Sequence, residues 1–141
     1  MNDWEFTSSG GWFSTKIPEN WSEYDDDEGT YAFFNTIEWS GNLRITPYRW
    51  EEEGIDKGPQ YVQDELNDNS NAVLTNLGNW EAAFYSKEAS EDSIIYFWVI
   101  GFKNTLLLCS FSADKSFIGS EKHTKELIIV ENILSGIKIV Q

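Results

Sequence analysis

An α+β fold, a twisted antiparallel β-sheet flanked by helices in a layered sandwich, is what the sequence predicts, on three observations. Short segments alternating apolar and polar residues recur along most of the chain, separated by Gly, Asn, Asp and Pro. Two later segments, IIYFWVIGF at 94–102 and TLLLCSFS at 105–112, are largely apolar on both faces, as strands covered on both sides are. Helical spacing is confined to one mid-chain and one C-terminal segment.

Taken in order, residues 1–10 read as a polar lead-in, with Trp4 and Phe6 available to pack on the body. Residues 12–17 alternate Phe13, Thr15 and Ile17 against Trp12, Ser14 and Lys16 as a strand does. Pro18 stops that strand because it cannot donate to a ladder. Residues 21–24 form a second strand and 30–35 a third. Between them lies the acidic turn Asp25-Asp26-Asp27-Glu28-Gly29, where Gly29 is free to take a positive φ. Residues 43–50 place Leu43, Ile45 and Pro47 on one face and Arg44, Thr46, Tyr48 and Trp50 on the other. Pro47 marks an edge position or a bulge. Glu51-Glu52-Glu53-Gly54 leads into a short helix, 59–67, with Val62 and Leu66 on one face. The Asn/Asp/Ser cluster at 67–71 ends it, since those side chains compete for backbone hydrogen bonds. Strands follow at 72–77, 80–87, 94–102 and 105–112, the last two central. After a loop at 113–120, residues 121–135 form the second helix, with Leu127, Ile128, Val130 and Leu134 as its apolar stripe and Gly136 as its C-terminal stop. Residues 137–140 close as a short strand. No internal repeat or boundary divides the chain, so residues 11–141 read as one domain.

Composition narrows the function. The chain holds 7 Trp, 6 Tyr and 9 Phe, enough to build a core despite its charge. Its 24 acidic and 10 basic residues leave a net charge of −14. Residues 1–65 carry 15 acids and 4 bases (net −11), residues 66–141 the other 9 acids and 6 bases (net −3). Such a surface repels phosphate, which excludes nucleic acid and anionic membranes as expected partners and favours a basic protein. One cysteine, Cys109, excludes an internal disulfide and a Cys-based zinc site. The start, MNDWEFTSSGG, lacks the charged and apolar regions of a signal peptide, and no apolar run approaches the ~20 residues of a membrane span. The expectation is a cytoplasmic protein.

Phe13-Ser14-x-Lys16-x-Pro18-x-x-Trp21, the acidic turn, and Phe33-Phe34-Asn35 together resemble the opening of the superfamily that includes PsbP, the extrinsic photosystem II protein, and the Ran-binding Mog protein. Leu43-Arg44-Ile45, the apolar hairpin at 94–111 and Ile133-Leu134-x-Gly136-Ile137-Lys138-Ile139 continue the likeness, which spans residues 11–141 and is weakest at 50–90. It looks closest to small bacterial domains of unknown function. The resemblance implies the sheet-and-helix fold and members that bind proteins or modulate complexes rather than catalyse. It transfers no functional residue.

Candidate sites follow from single residues and runs. His123 stands among Glu121, Lys122 and Lys125 without a partner nucleophile and reads as an exposed surface histidine. Cys109 reads as a small buried hydrophobe. Counting an EF-hand loop from Asp25 puts Thr36 at its twelfth position, and from Asn67 it puts Gly78 there, so neither holds calcium. No phosphate-loop, dinucleotide, nucleophile-elbow or metalloprotease motif occurs, and no cofactor or enzymatic activity is expected. Two readings of the acidic runs stay open. They are solvated turns, or Asp25, Asp26, Asp27, Glu28, Glu51, Glu52 and Glu53 form one docking surface with the aromatics Tyr48 and Trp50 beside it. Tyr48 and Trp50 are either interface anchors or packed beneath a helix. The expected function is a non-enzymatic domain that binds a basic protein, with an immunity-type inhibitor as one form. The alternative is a small-ligand domain with an aromatic pocket between helix and sheet.

Overall fold

The computed structural model describes residues 3–24, 28–51 and 56–140. Among these residues, ten strands and two α-helices follow in the order β1 (Trp4–Thr7), β2 (Phe13–Ile17), β3 (Trp21–Tyr24), β4 (Tyr31–Asn35), β5 (Gly41–Arg49), α1 (Lys57–Asp68), β6 (Val73–Leu77), β7 (Trp80–Glu88), β8 (Ser93–Phe102), β9 (Thr105–Asp114), α2 (Glu121–Ser135) and β10 (Lys138–Ile139). They build the α+β sandwich that the sequence predicts. Seven strands form one antiparallel sheet in the order β3-β4-β5-β9-β8-β7-β6, and a three-stranded sheet, β1-β2-β10, lies apart from it.

The expected central hairpin sits in the middle of the large sheet. β8 and β9 pair from Ser93↔Asp114 to Phe102↔Thr105, and β9 pairs β5 from Gly41↔Ala113 to Arg49↔Thr105. Alternation then sends the two faces into two separate cores. Leu43, Ile45, Trp98, Ile100, Leu107 and Phe111 pack with Phe13 and Ile17 of the small sheet and with Val130, Ile133 and Leu134 of α2. Ala83, Tyr85, Val99 and Leu106 meet Val62 of α1 on the opposite face. Burying one large apolar side chain completely contributes about 1.5–3 kcal/mol, so the first core dominates stability.

The lead-in at residues 1–10 turns out to contain a strand. Trp4 to Thr7 run antiparallel to Ile17 to Ser14, and Phe6 meets Phe33 edge-on at 5.0 Å. Four residues of alternation are too few to signal this strand without its partner. Pro47 lies opposite Leu107 in β9, beyond the last β4 partner of β5 at Ile45, so it occupies a locally one-sided position. Ile128 does not join the inward stripe of α2; it is half exposed.

Both helices are placed by small residues or caps. Gly58 and Gly101 let α1 touch the sheet backbone to backbone, because a Cβ on Gly101 would collide with the Gly58 carbonyl. The Gly58 N–H donates to the Lys103 carbonyl at 2.8 Å. At the start of α2 the Ser120 hydroxyl accepts from the His123 N–H at 3.2 Å, the N-cap arrangement that satisfies an otherwise orphaned donor.

Candidate functional site

Three arrangements combine polar groups in a way that sequence spacing alone does not display. The first is sealed. Ser40, just before β5, Tyr96 of β8, and His123 and Glu126 of α2 converge beneath the helix. His123 Nδ1 lies 3.3 Å from Ser40 Oγ, and its Nε2 lies 3.1 Å from the Tyr96 hydroxyl. A neutral imidazole carries one donor and one acceptor, so the two hydroxyls take complementary roles. Burial lowers the His123 pKa below its ordinary 6.5. Burial raises that of Glu126 above 4.5, with Ser40 and the Lys122 charge opposing the rise and Glu38 adding to it. Ser40 approaches the Glu126 carboxyl, yet neither carboxyl oxygen has a hydrogen bond of good geometry.

Serine, histidine and carboxylate evoke a nucleophile with its base, but the arrangement is unsuited to that use. Ser40, His123 and Glu126 are 0%, 2% and 1% exposed, which leaves no path for a substrate. The second imidazole nitrogen is oriented by a tyrosine rather than by a carboxylate. The expected surface histidine is therefore a core residue. Its charged neighbours in sequence disguise this, while its spacing of seven from Val130, on the same buried side of α2, reveals it.

The second arrangement is open. A cleft of about 280 Å³ lies between α1 and the sheet. Its floor is one cross-strand row, Arg44↔Ser110, Ser110↔Phe97 and Phe97↔Tyr85, spanning β5, β9, β8 and β7. Tyr85 and Phe97 stack at 5.0 Å with their planes 21° apart. Glu65 of α1 overhangs the Tyr85 end, where Asn69 Nδ2 donates to its Oε2 at 2.7 Å. Burial, and next the Glu65 charge, raise the Tyr85 pKa above 10.0. At the other end Arg44 Nη1 donates to Ser112 Oγ at 3.0 Å, and the Thr30 and Thr46 hydroxyls meet at 2.8 Å.

The third is the acidic end. Tyr31 pairs with Ile45, so the start of β4 lies beside the far half of β5. Residues flanking the two acidic runs therefore leave the sheet at one end. Glu28 and Glu51 are exposed there, while Asp25, Asp26, Asp27, Glu52 and Glu53 lie outside the described residues. Tyr48 is 48% exposed. Trp50 is half buried against Tyr61 of α1, with ring centroids 6.4 Å apart. Cys109 is fully buried, and burial pushes its thiol pKa far up, which makes it inert. Among the described residues no group of three His, Cys, Asp or Glu could hold a metal ion, and no helix is long and apolar enough to cross a membrane.

Comparison with known proteins agrees with the fold. A family model described as "Domain of unknown function (DUF3805)" matches residues 1–140. A crystal structure from Bacteroides thetaiotaomicron VPI-5482 is 28% identical, covering 97% of this chain and 48% of that one, with a TM-score of 0.81. The chain thus spans about half the length of that relative. A mutant of the protein Mog1 superposes at a TM-score of 0.58 with 10% identity, over 100% of this chain and 97% of its own. Cyanobacterial PsbP from Synechocystis sp. PCC 6803 does so at 0.50 with 13% identity, over 98% and 92%. At those identities both likenesses concern the fold alone, and they match the resemblance read from the opening hairpin. No curated protein matches the chain.

Proposed function

We propose that this chain, which belongs to the DUF3805 family, is a non-enzymatic binding domain that captures a basic protein partner through the acid-rich end of its large sheet. The observation that carries the reading is the shared end. The β3–β4 turn and the β5–α1 connection carry eight acids, the seven of the two runs and Asp56, and their described flanks are tied by the Thr30–Thr46 contact at 2.8 Å. Like charges gathered at one end raise the local potential and speed encounter with a cation-rich surface. Exposed Tyr48 supplies an aromatic contact beside them. An inhibitory, immunity-type role in the cytoplasm fits such a surface. The sealed state of Ser40 and His123 supports a role without catalysis.

The test is capture of proteins from the native host, at low and high salt, on the wild-type chain and on one with Asp25, Asp26 and Asp27 changed to Lys. A basic protein held at low salt, released by high salt and lost on charge reversal supports the reading. Retention indifferent to both refutes it.

A second reading is favoured by the cleft between α1 and the sheet. Its aromatic floor and few convergent polar groups are the usual makings of a small-molecule site, and 280 Å³ suits a small metabolite.

A further inference from the structure

The cleft invites a question of ligand chemistry, and the answer deepens the small-ligand reading just given and rests on it. Charges of opposite sign stand at its two ends. Arg44 closes the β5 end and Glu65 overhangs the β7 end, with Phe97, Val99 and Leu108 between them. Arg44 and Tyr85 are three strand spacings apart in one row, roughly 14 Å between backbones. The Arg44 and Glu65 side chains both line the cleft.

We propose that the cleft binds a small zwitterion whose charges sit at opposite ends of an apolar middle, its cationic group at Glu65 and its carboxylate at Arg44. Glu65 is already oriented by Asn69 at 2.7 Å, so a ligand ammonium meets a carboxylate that loses little freedom on binding. Arg44 is braced by Ser112 at 3.0 Å and, with five N–H donors, can serve a carboxylate as well as its existing partners. Ser110, the Arg44 neighbour in the row, adds a hydroxyl at the same end. Phe97, Val99 and Leu108 between the two ends favour an apolar middle in the ligand. Lys87, whose Nζ lies 5.3 Å from the Phe97 centroid, and Arg44 disfavour a dication.

Four six-carbon probes isolate the charge pattern: 6-aminohexanoate with charges at both ends, hexylamine, hexanoate, and norleucine with both charges at one end. Calorimetric titration of the intact chain is expected to show 6-aminohexanoate bound about tenfold or more tighter than the other three. Glu65→Gln should reduce it to the affinity of hexanoate, and Arg44→Gln to that of hexylamine. Should Arg44→Gln fail to fold, the probe series and Glu65→Gln still decide. Equal binding of hexanoate, hexylamine or norleucine, with loss on Leu108→Trp, overturns the zwitterion inference and keeps the cleft as a site. No binding by any probe at millimolar concentration overturns both.

Discussion

Replacing Glu126 with Met should stabilise the protein on the alkaline side of neutrality. The carboxyl is 1% exposed and neither oxygen has a hydrogen bond of good geometry. A buried polar group left in that condition costs about 1–3 kcal/mol, more when ionised. Met has similar volume, suits a helix and needs no partner. The expected gain near pH 8 is therefore about 1–3 kcal/mol, a rise in Tm of roughly 3–10 °C for a chain of this size. The sign of the pH dependence follows from the direction of the shift. Burial raises the folded pKa above 4.5, so the contribution of Glu126 is fully present below that value and is lost as pH rises through the folded pKa. The advantage of the variant should accordingly shrink as pH falls from alkaline towards acid. His123 runs the other way: its folded pKa is lowered from 6.5, so its contribution is present above 6.5 and is lost as pH falls through the folded value. Urea unfolding of both proteins across the pH range reads the difference directly. Destabilisation by Glu126→Met at every pH would show that Ser40 compensates the carboxylate fully, and a constant gap would show that it does not titrate in the folded state.

Three further outcomes follow from the packing. Gly101→Ala should cost about 1–3 kcal/mol or more, because its Cβ meets the Gly58 backbone and lifts α1 from the sheet; chemical denaturation measures it, and a neutral result would contradict the close approach. Thr15→Val should cost about 1 kcal/mol by removing the buried hydrogen bond that Thr15 Oγ1 donates to the Ile133 carbonyl at 2.7 Å, the carbonyl keeping the Gly136 N–H at 3.2 Å, with thermal melting as the check. Cys109 should resist thiol reagents in the native state and react on denaturation, so rapid stoichiometric labelling of the folded chain would refute its burial.

The strands were legible because their signal is local. Residues 21–24 and 121–135 coincide with the observed β3 and α2, and within IIYFWVIGF Trp98 and Ile100 enter one core and Val99 the other. What the sequence conceals depends on partners distant in the chain. Trp4 and Phe6 form a strand only because β2 returns beside them. His123 is buried because Ser40, 83 residues away, and Tyr96, 27 residues away, supply its hydrogen bonds. Alternation alone assigns Arg44 to the polar face of its strand. That it shares a row with Ser110, Phe97 and Tyr85 depends on the register of three strand pairs. Trp50 was readable in two ways, and its contact with Tyr61 shows how α1 takes part of that aromatic surface for itself.

The most direct test of the central claim is the association rate of the captured partner with the chain as a function of ionic strength, for wild type and for the Asp25, Asp26 and Asp27 to Lys variant. Electrostatic steering requires a rate that falls steeply with salt for the wild type, and a slower, less salt-dependent rate for the variant. Superimposable rates for the two proteins at low salt would contradict it.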